Sequence, residues 1–270
     1  MTGRSESESE GTPAPAAAVL YAVSDGVATL TMDRPQSRNA LSPALLNGLG
    51  DGLSQARDDP TVRVVVLTHT GPAFCAGADL SVATDHGPAD RPRFDLAEIL
   101  ALVQDVPQPV VARIAGHCFG GGVGLAAACD LSVATDEAKF GFTEVRIGVA
   151  PAIVSVVCLP KLRRADALEL FLTGARISAS RAAQVGLITT AVVASSLDSE
   201  VDTLVAQLLA GAPGALAATK RLVFDVPAWP RATAFEQTTA ISQRLFESEE
   251  AAEGLAAFRE KRPASWVPRT

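Results

Sequence analysis

The stretch that decides the fold is residues 113–130, which read RIAGHCFGGGVGLAAACD. An apolar run at 109–115 leads into three consecutive glycines at 120–122, and an Ala/Leu-rich segment and a second apolar run follow at 123–134. This order predicts a strand, a glycine-rich turn, a short helix and another strand. Glycines at a helix entrance let the backbone approach a ligand and direct free N–H groups at it. A turn that serves packing alone is the alternative.

The same pattern occurs once before, which favours the functional interpretation. Residues 62–68 (VRVVVLT) read as a strand buried on both faces, and residues 69–80 (HTGPAFCAGADL) follow as a loop of small residues. Two such turns at the ends of neighbouring strands can direct two backbone N–H groups at one point. That arrangement is an oxyanion hole, which stabilises charge on a carbonyl oxygen in a transition state.

A site of this kind needs a base, and the sequence offers two candidates. Glu144 is an isolated carboxylate among apolar residues at 140–145 (FGFTEV), where burial would raise its pKa towards that of a useful general base. A solvated loop acid is the alternative for that residue. His117 adjoins the glycines, but a lone histidine more often serves packing. Neither serine nor cysteine stands in a nucleophile-elbow pattern.

The rest of the chain indicates one α/β core with terminal appendages. Residues 1–18 (MTGRSESESEGTPAPAAA) read as a disordered leader, residues 19–195 as the strand-and-helix core, and residues 196–270 as all-helical. Residues 81–93 are polar, and we expect a mobile segment there that sets substrate specificity.

Composition excludes several functional classes. The net charge of -7 argues against nucleic-acid binding, and no apolar run is long enough to span a bilayer. The four cysteines form no CxxC pair and, with three scattered histidines, show no metal-site spacing. We therefore expect reduced thiols, a cytoplasmic protein, no metal and no membrane partner. A dinucleotide fingerprint at 122–127 (GVGLAA) is disfavoured, because its helix is too short and the downstream acids lie nearer than the ~20 residues that the motif requires.

Six short motifs together resemble the crotonase superfamily, the enoyl-CoA hydratase/isomerase family. They run in family order at 38–41 (RNAL), 74–80 (FCAGADL), 116–122 (GHCFGGG), 140–148 (FGFTEVRIG), 173–176 (TGAR) and 253–258 (EGLAAF). The resemblance implies an α/β fold, a spiral of ββα turns with a helical C-terminal trimerisation region. It also implies a homotrimer or dimer of trimers, and a coenzyme A thioester as substrate with no separate cofactor.

The resemblance also implies roles for particular residues. The N–H groups of Ala78 and Gly121 would hold the thioester oxygen as an enolate, each donor contributing ~3 kcal/mol in the transition state, and Glu144 would be the acid/base. Substrate-binding positions would be Arg38, Ala40, Ala76, Asp79, Leu80, Gly120 and Thr143. Candidates for the coenzyme A phosphates are Arg34, Arg38 and, from the last helix, Lys261 or Arg262.

One departure from the family pattern leaves the reaction open. Hydratases of this family carry two glutamates, and the first aligns with Gly124, which has no side chain, whereas the second aligns with Glu144. The resemblance still favours hydration of a 2-enoyl-CoA, with a replacement group from the substrate or from Asp85, His86, Asp90 or Asp95. A single glutamate suffices for a 3,2-enoyl-CoA isomerase, the close alternative. A coenzyme A thioester-binding protein that has lost catalysis is the third possibility.

Overall fold

The computed structural model describes residues 17–79 and 92–268. The strands in these ranges are β1 (Val19–Ser24), β2 (Val27–Met32), β3 (Val64–His69), β4 (Ala73–Cys75), β5 (Val110–Ile114), β6 (His117–Phe119), β7 (Leu131–Thr135), β8 (Lys139–Gly141), β9 (Ile177–Ser178) and β10 (Thr190–Val192). The helices are α1 (Pro43–Asp58), α2 (Leu96–Asp105), α3 (Gly121–Ala128), α4 (Ala152–Cys158), α5 (Arg164–Thr173), α6 (Ala179–Gln184), α7 (Leu197–Ala210), α8 (Pro213–Asp225), α9 (Arg231–Phe246) and α10 (Glu249–Glu260).

Two sheets organise the core. The larger has the strand order β1-β2-β3-β5-β7-β10, and the smaller has the order β4-β6-β8-β9. In the larger sheet β1 is antiparallel to β2, and the remaining pairs are parallel. Each of three successive units places one strand in the larger sheet, one in the smaller sheet and then a helix: β3-β4-α2, β5-β6-α3 and β7-β8-α4. The predicted spiral of ββα turns is therefore confirmed.

Strand β3 is an unbroken apolar run because both of its faces are buried. Its side chains alternate between the two faces of the sheet. Val65 and Leu67 belong to the main core, whereas Val64 and Val66 pack in a second cluster that includes Leu197 of α7. All four are buried, so the prediction of a strand covered on both faces is confirmed.

The helices after residue 196 dock on the core through polar contacts as well as apolar ones. Arg113 on β5 forms an ion pair of 2.6 Å with Asp198 of α7. Lys220 of α8 is buried and forms an ion pair of 2.8 Å with Asp130. No described helix is by itself long and apolar enough to cross a membrane; the pair Ala194–Ala210 and Pro213–Ala228 reaches the required length and composition only jointly, across a bend of 109°.

Local hydrogen bonds set where two segments begin. Helix α2 begins at Leu96, because the Asp95 side chain accepts a hydrogen bond from the backbone N–H of Glu98 and caps the helix. Ala18, assigned to the leader, is buried, and its carbonyl accepts a bond from the Asp33 N–H at 2.9 Å. Residues 1–16 and most of the predicted mobile segment lie outside the described residues.

Candidate active site

The candidate site lies where three parallel strands of the smaller sheet end. Strand β6 pairs with β4 on one side and with β8 on the other. The segments that follow these strands are 76–78, 120–121 and 142–144, and because the strands are parallel their carboxyl ends share one edge of the sheet. Ligands of α/β sheets bind at such an edge. All three predicted catalytic residues, Ala78, Gly121 and Glu144, line one cavity there.

The Ala78 N–H is fixed by the carbonyl on the other side of its peptide bond. The Gly77 carbonyl accepts a hydrogen bond of 2.8 Å from the Leu41 N–H. A planar trans peptide directs its N–H opposite to its C=O, so this bond orients the Ala78 N–H. Among the backbone hydrogen bonds between described residues, none takes up that N–H.

The Gly121 N–H is held in the same way. The Gly120 carbonyl accepts hydrogen bonds from the N–H groups of Val123 at 2.9 Å and Gly124 at 3.3 Å, and the Gly121 N–H takes part in no backbone hydrogen bond with a described residue. Gly121 is the first residue of α3, so the positive end of the helix dipole adds to this donor. Two N–H groups from two loops are thus available at one cavity, as an oxyanion hole requires.

Glycine is required where the segments 76–78 and 120–121 touch. Gly77 has φ +94°, and a Cβ there would lie 3.0 Å from the Phe119 carbonyl oxygen and 3.6 Å from the Gly121 nitrogen. Gly120 has φ +52°, and a Cβ there would lie 3.0 Å from the Glu144 Oε1 atom. Side chains at either position would be strained and would separate the loops or displace the carboxylate.

Glu144 has the surroundings expected of a general base. It lies in the 3₁₀ helix Thr143–Ile147, which ends at Gly148 in a left-handed conformation. Its side chain is half-buried, its Oε2 atom is buried without a hydrogen-bond partner among the described residues, and burial raises the pKa of the carboxyl. An acceptor in this state is suited to take a proton from a bound substrate.

The cavity has a volume of about 340 Å³. Of the predicted substrate-binding residues, Ala76, Gly120 and Thr143 line it. The remaining lining residues include Leu96 and residues 147 and 149–154, which carry apolar side chains and include the start of α4. Glu144 is the only carboxylate among the lining residues that the structure describes, and no group of three potential metal-ligating side chains occurs in the described part of the chain.

The position that aligns with the missing glutamate has no room for a side chain. Gly124 is buried in α3, and a Cβ there would lie 2.5 Å from Val154 Cγ1 on α4. Val154 itself is 3% exposed and lines the cavity. No pattern in the sequence singles out Val154, because it is one of several apolar residues in a row.

Asn39 holds the loop of residues 34–40 beside the segment 76–78. This fully buried side chain accepts a hydrogen bond from the Arg34 N–H at 2.8 Å and donates to the carbonyls of Thr70 at 3.0 Å and Ala73 at 2.8 Å. The Arg38 carbonyl accepts from the Ala76 N–H at 3.0 Å.

The remaining substrate-binding candidates are distributed around this loop. Arg38 is exposed, Ala40 is buried beneath the loop, and Asp79 is half-buried next to Ala78; none of the three lines the cavity. Leu80 falls outside the described residues.

The structure corrects some lesser candidates. Arg262 is bound to Glu253 at 2.7 and 2.9 Å and to Glu260 at 2.6 Å, and the hydrogen bonds that it donates are the main reason that the pKa of Glu253 is lowered to about 2. The guanidinium of Arg262 is therefore engaged by two carboxylates and is a poor phosphate ligand. Lys261, the other candidate from the last helix, is exposed.

Two side chains considered for proton transfer are also engaged elsewhere. Asp95 caps α2, and His117 is exposed and accepts from the Lys139 N–H at 3.2 Å. Asp85, His86 and Asp90 lie outside the described residues.

Comparison with known proteins shows the family to which the chain belongs. The family model described as enoyl-CoA hydratase/isomerase matches residues 22–269, so the chain belongs to the enoyl-CoA hydratase/isomerase family. A Thermus thermophilus protein whose name places it with the enoyl-CoA hydratases is 36% identical over 88% of this chain and 96% of its own length. The enoyl-CoA isomerase/hydratase fer4 of Mycosarcoma maydis is 34% identical over 88% and 91%.

A solved structure shows the same fold. The enoyl-CoA hydratase of Mycobacterium smegmatis superimposes with a TM-score of 0.85 at 32% identity, covering 93% of this chain and 99% of its own. The crotonase-like fold is therefore established for this chain, and membership of the family supports an enoyl-CoA hydratase/isomerase type of function.

Proposed function

We propose that this protein isomerises a 3-enoyl-CoA to a 2-enoyl-CoA, with Glu144 as the single acid/base. The observation that supports this reaction is the contact between Gly124 and Val154, which leaves hydrocarbon where a second carboxylate would stand. One carboxylate beside two free N–H groups is sufficient for moving a proton within a substrate.

In the proposed mechanism the thioester oxygen accepts hydrogen bonds from the N–H groups of Ala78 and Gly121. Glu144 takes a proton from the α-carbon, and the electron pair moves into a dienolate whose oxygen carries the charge. The same carboxyl then returns the proton to the γ-carbon, and the double bond ends between the α- and β-carbons. Each amide contributes ~3 kcal/mol to the stabilisation of the enolate.

Hydration of a 2-enoyl-CoA is the second candidate, because all three relatives named above carry hydratase in their names. It requires a group to hold water, and in the described part of the cavity wall only Glu144 and Thr143 bring side-chain oxygens. A coenzyme A thioester-binding protein without turnover is the third, non-enzymatic candidate. We propose that no cofactor is needed beyond the coenzyme A of the substrate.

The three candidates are separated by turnover of 3-hexenoyl-CoA and crotonyl-CoA measured side by side. Wild-type protein should convert the first to its 2-enoyl isomer and hydrate the second more slowly. Glu144→Gln should lose about 10²–10⁴ of the turnover and keep acyl-CoA affinity within a few-fold, because the backbone makes the hole. Glu137→Gln, an acid-to-amide change outside the cavity, is the matched control. Hydration as the faster reaction would replace isomerisation as the function, and binding without either reaction would indicate the non-enzymatic protein.

Assembly and location follow as further proposals. We propose a homotrimer or dimer of trimers in the cytoplasm, with the region 196–270 between subunits. The exposed side chains of Phe235, Phe246 and Phe258 on α9 and α10 support a contact there, since large exposed apolar patches mark interaction surfaces. Light scattering of the purified protein measures the assembly directly.

A further inference from the structure

Val154 occupies the space in front of Gly124. A Cβ at position 124 would lie 2.5 Å from Val154 Cγ1, 3.1 Å from Val154 Cβ and 3.5 Å from Leu100 Cδ1. Real Cβ atoms do not approach other atoms to 2.5 Å, so a side chain at 124 would have to displace Val154.

Val154 cannot move aside freely, because it is part of the packed core. It is 3% exposed and belongs to the main hydrophobic cluster, as does Leu100 of α2. The helices α3 and α4 that carry the two positions lie in contact. The packing therefore couples the two residues: glycine at 124 fits the branched side chain at 154.

Val154 also lines the cavity that holds Glu144. A buried water molecule needs two to four polar partners, and the isopropyl group offers none. The part of the wall formed by Val154 is therefore poorly suited to hold the water that hydration of a double bond consumes.

We propose that Val154 determines the reaction of this site, because it excludes a second carboxylate from position 124 and keeps the wall beside the reacting carbons free of ordered water. This inference rests on the proposed function. With this wall, the proton taken by Glu144 returns to a carbon of the substrate. In hydration, by contrast, a water oxygen would bond to the β-carbon, one of its protons would pass to an enzyme carboxylate, and the α-carbon would gain a proton.

The test compares four proteins: wild type, Gly124→Glu, Val154→Gly and the double variant Gly124→Glu/Val154→Gly. The two readouts are the rate of crotonyl-CoA hydration and the rate of α-proton exchange of butyryl-CoA in D₂O. The quantity compared is the hydration rate divided by the exchange rate. We expect the double variant to raise the ratio at least tenfold, and Val154→Gly alone to change it less than threefold. Gly124→Glu alone should lower both rates at least tenfold.

Two results would overturn the proposal. The first is a Gly124→Glu variant that hydrates crotonyl-CoA as well as the double variant does, because Val154 would then not block the position. The second is a double variant with normal α-proton exchange and no rise in the ratio. Absence of 3-hexenoyl-CoA isomerisation by the wild type would instead refute the proposed function, and the two failures are thus distinguishable.

A milder pair of substitutions keeps the test valid if the carboxylate variants do not fold. Gly124→Ala adds only the Cβ, and we expect its melting temperature to fall by about 5 °C. Val154→Ala removes the colliding methyl groups and should recover at least half of that loss when combined with Gly124→Ala. Additive effects of the two substitutions would show that the residues are not coupled, and would overturn the proposal.

Discussion

Replacing Asn39 with alanine should strongly destabilise the protein, because its fully buried side chain forms three hydrogen bonds. The bonds join the loop that carries Arg38 to the backbone of Arg34, Thr70 and Ala73 at 2.8, 3.0 and 2.8 Å. A lost buried bond costs about 1–1.5 kcal/mol, so the three together amount to about 3–4 kcal/mol. Asn39 also has φ +51°, a conformation that costs alanine about a further 1–2 kcal/mol.

Urea denaturation of three variants separates these contributions. Asn39→Ala should lower the free energy of unfolding by about 4–6 kcal/mol. Asn39→Gly loses the same hydrogen bonds without the steric cost and should be about 1 kcal/mol more stable than the alanine variant. Ser37→Ala, in the exposed turn of the same loop, is the control and should change stability by less than about 0.5 kcal/mol.

The same substitution should also affect the site. The Leu41–Gly77 and Arg38–Ala76 backbone bonds connect this loop to the segment that carries Ala78, so a loosened loop would displace one donor of the proposed oxyanion hole. We expect a higher KM and a lower kcat in Asn39→Ala. A loss of less than about 1 kcal/mol, with unchanged kinetics, would refute the reasoning about the buried amide.

Three further predictions follow from the structure. Gly121→Val should lower kcat at least about 10²-fold, since a Cβ there collides with Leu41 Cδ1 at the oxyanion hole; steady-state kinetics showing normal kcat would contradict this placement of the hole. Lys220→Met should cost about 3–5 kcal/mol in urea denaturation, because it leaves the partly buried Asp130 carboxylate without its partner; adding Asp130→Asn should recover part of the loss, and no recovery would contradict the ion-pair account. Burial lowers the pKa of His69 in the folded protein, so its contribution to stability is complete above its unfolded-state pKa of about 6.5 and is lost as the pH falls through the lower folded-state pKa. The free energy of unfolding of His69→Gln, measured against pH, should fall less steeply than that of wild type between these pKa values, and equal slopes would exclude the histidine as the cause.

The sequence predicts the larger sheet well and the smaller sheet poorly. Strand β3 is an apolar run long enough to be recognised, and its burial on both faces follows from its composition. Strands β4, β6 and β8 have three residues each, too few to show a periodicity. The residues alone therefore predict a single loop at 69–80, whereas the structure has β4 within this segment. The resemblance to a family supplied what periodicity could not.

Sequence patterns likewise single out some residues of the candidate site and not others. Gly121 and Glu144 were predicted as site residues because glycines in series and an isolated acid in apolar surroundings are visible in the sequence itself. Val154 and Asn39 were assigned no role, because a valine in an apolar stretch and an asparagine in a polar loop are ordinary residues. Their importance arises from tertiary contacts: Val154 meets Gly124 across two packed helices, and Asn39 reaches the carbonyls of Thr70 and Ala73.

The most direct test of the central claim is α-proton exchange of butyryl-CoA in D₂O, followed by NMR, in wild type and Glu144→Gln. This measurement isolates enolate formation from the later fate of the proton, so it applies equally to isomerisation and hydration. The account predicts exchange by wild type, a loss of about 10²–10⁴ in Glu144→Gln and unchanged exchange in Glu137→Gln. Exchange by Glu144→Gln at the wild-type rate would contradict the claim that this carboxylate is the base.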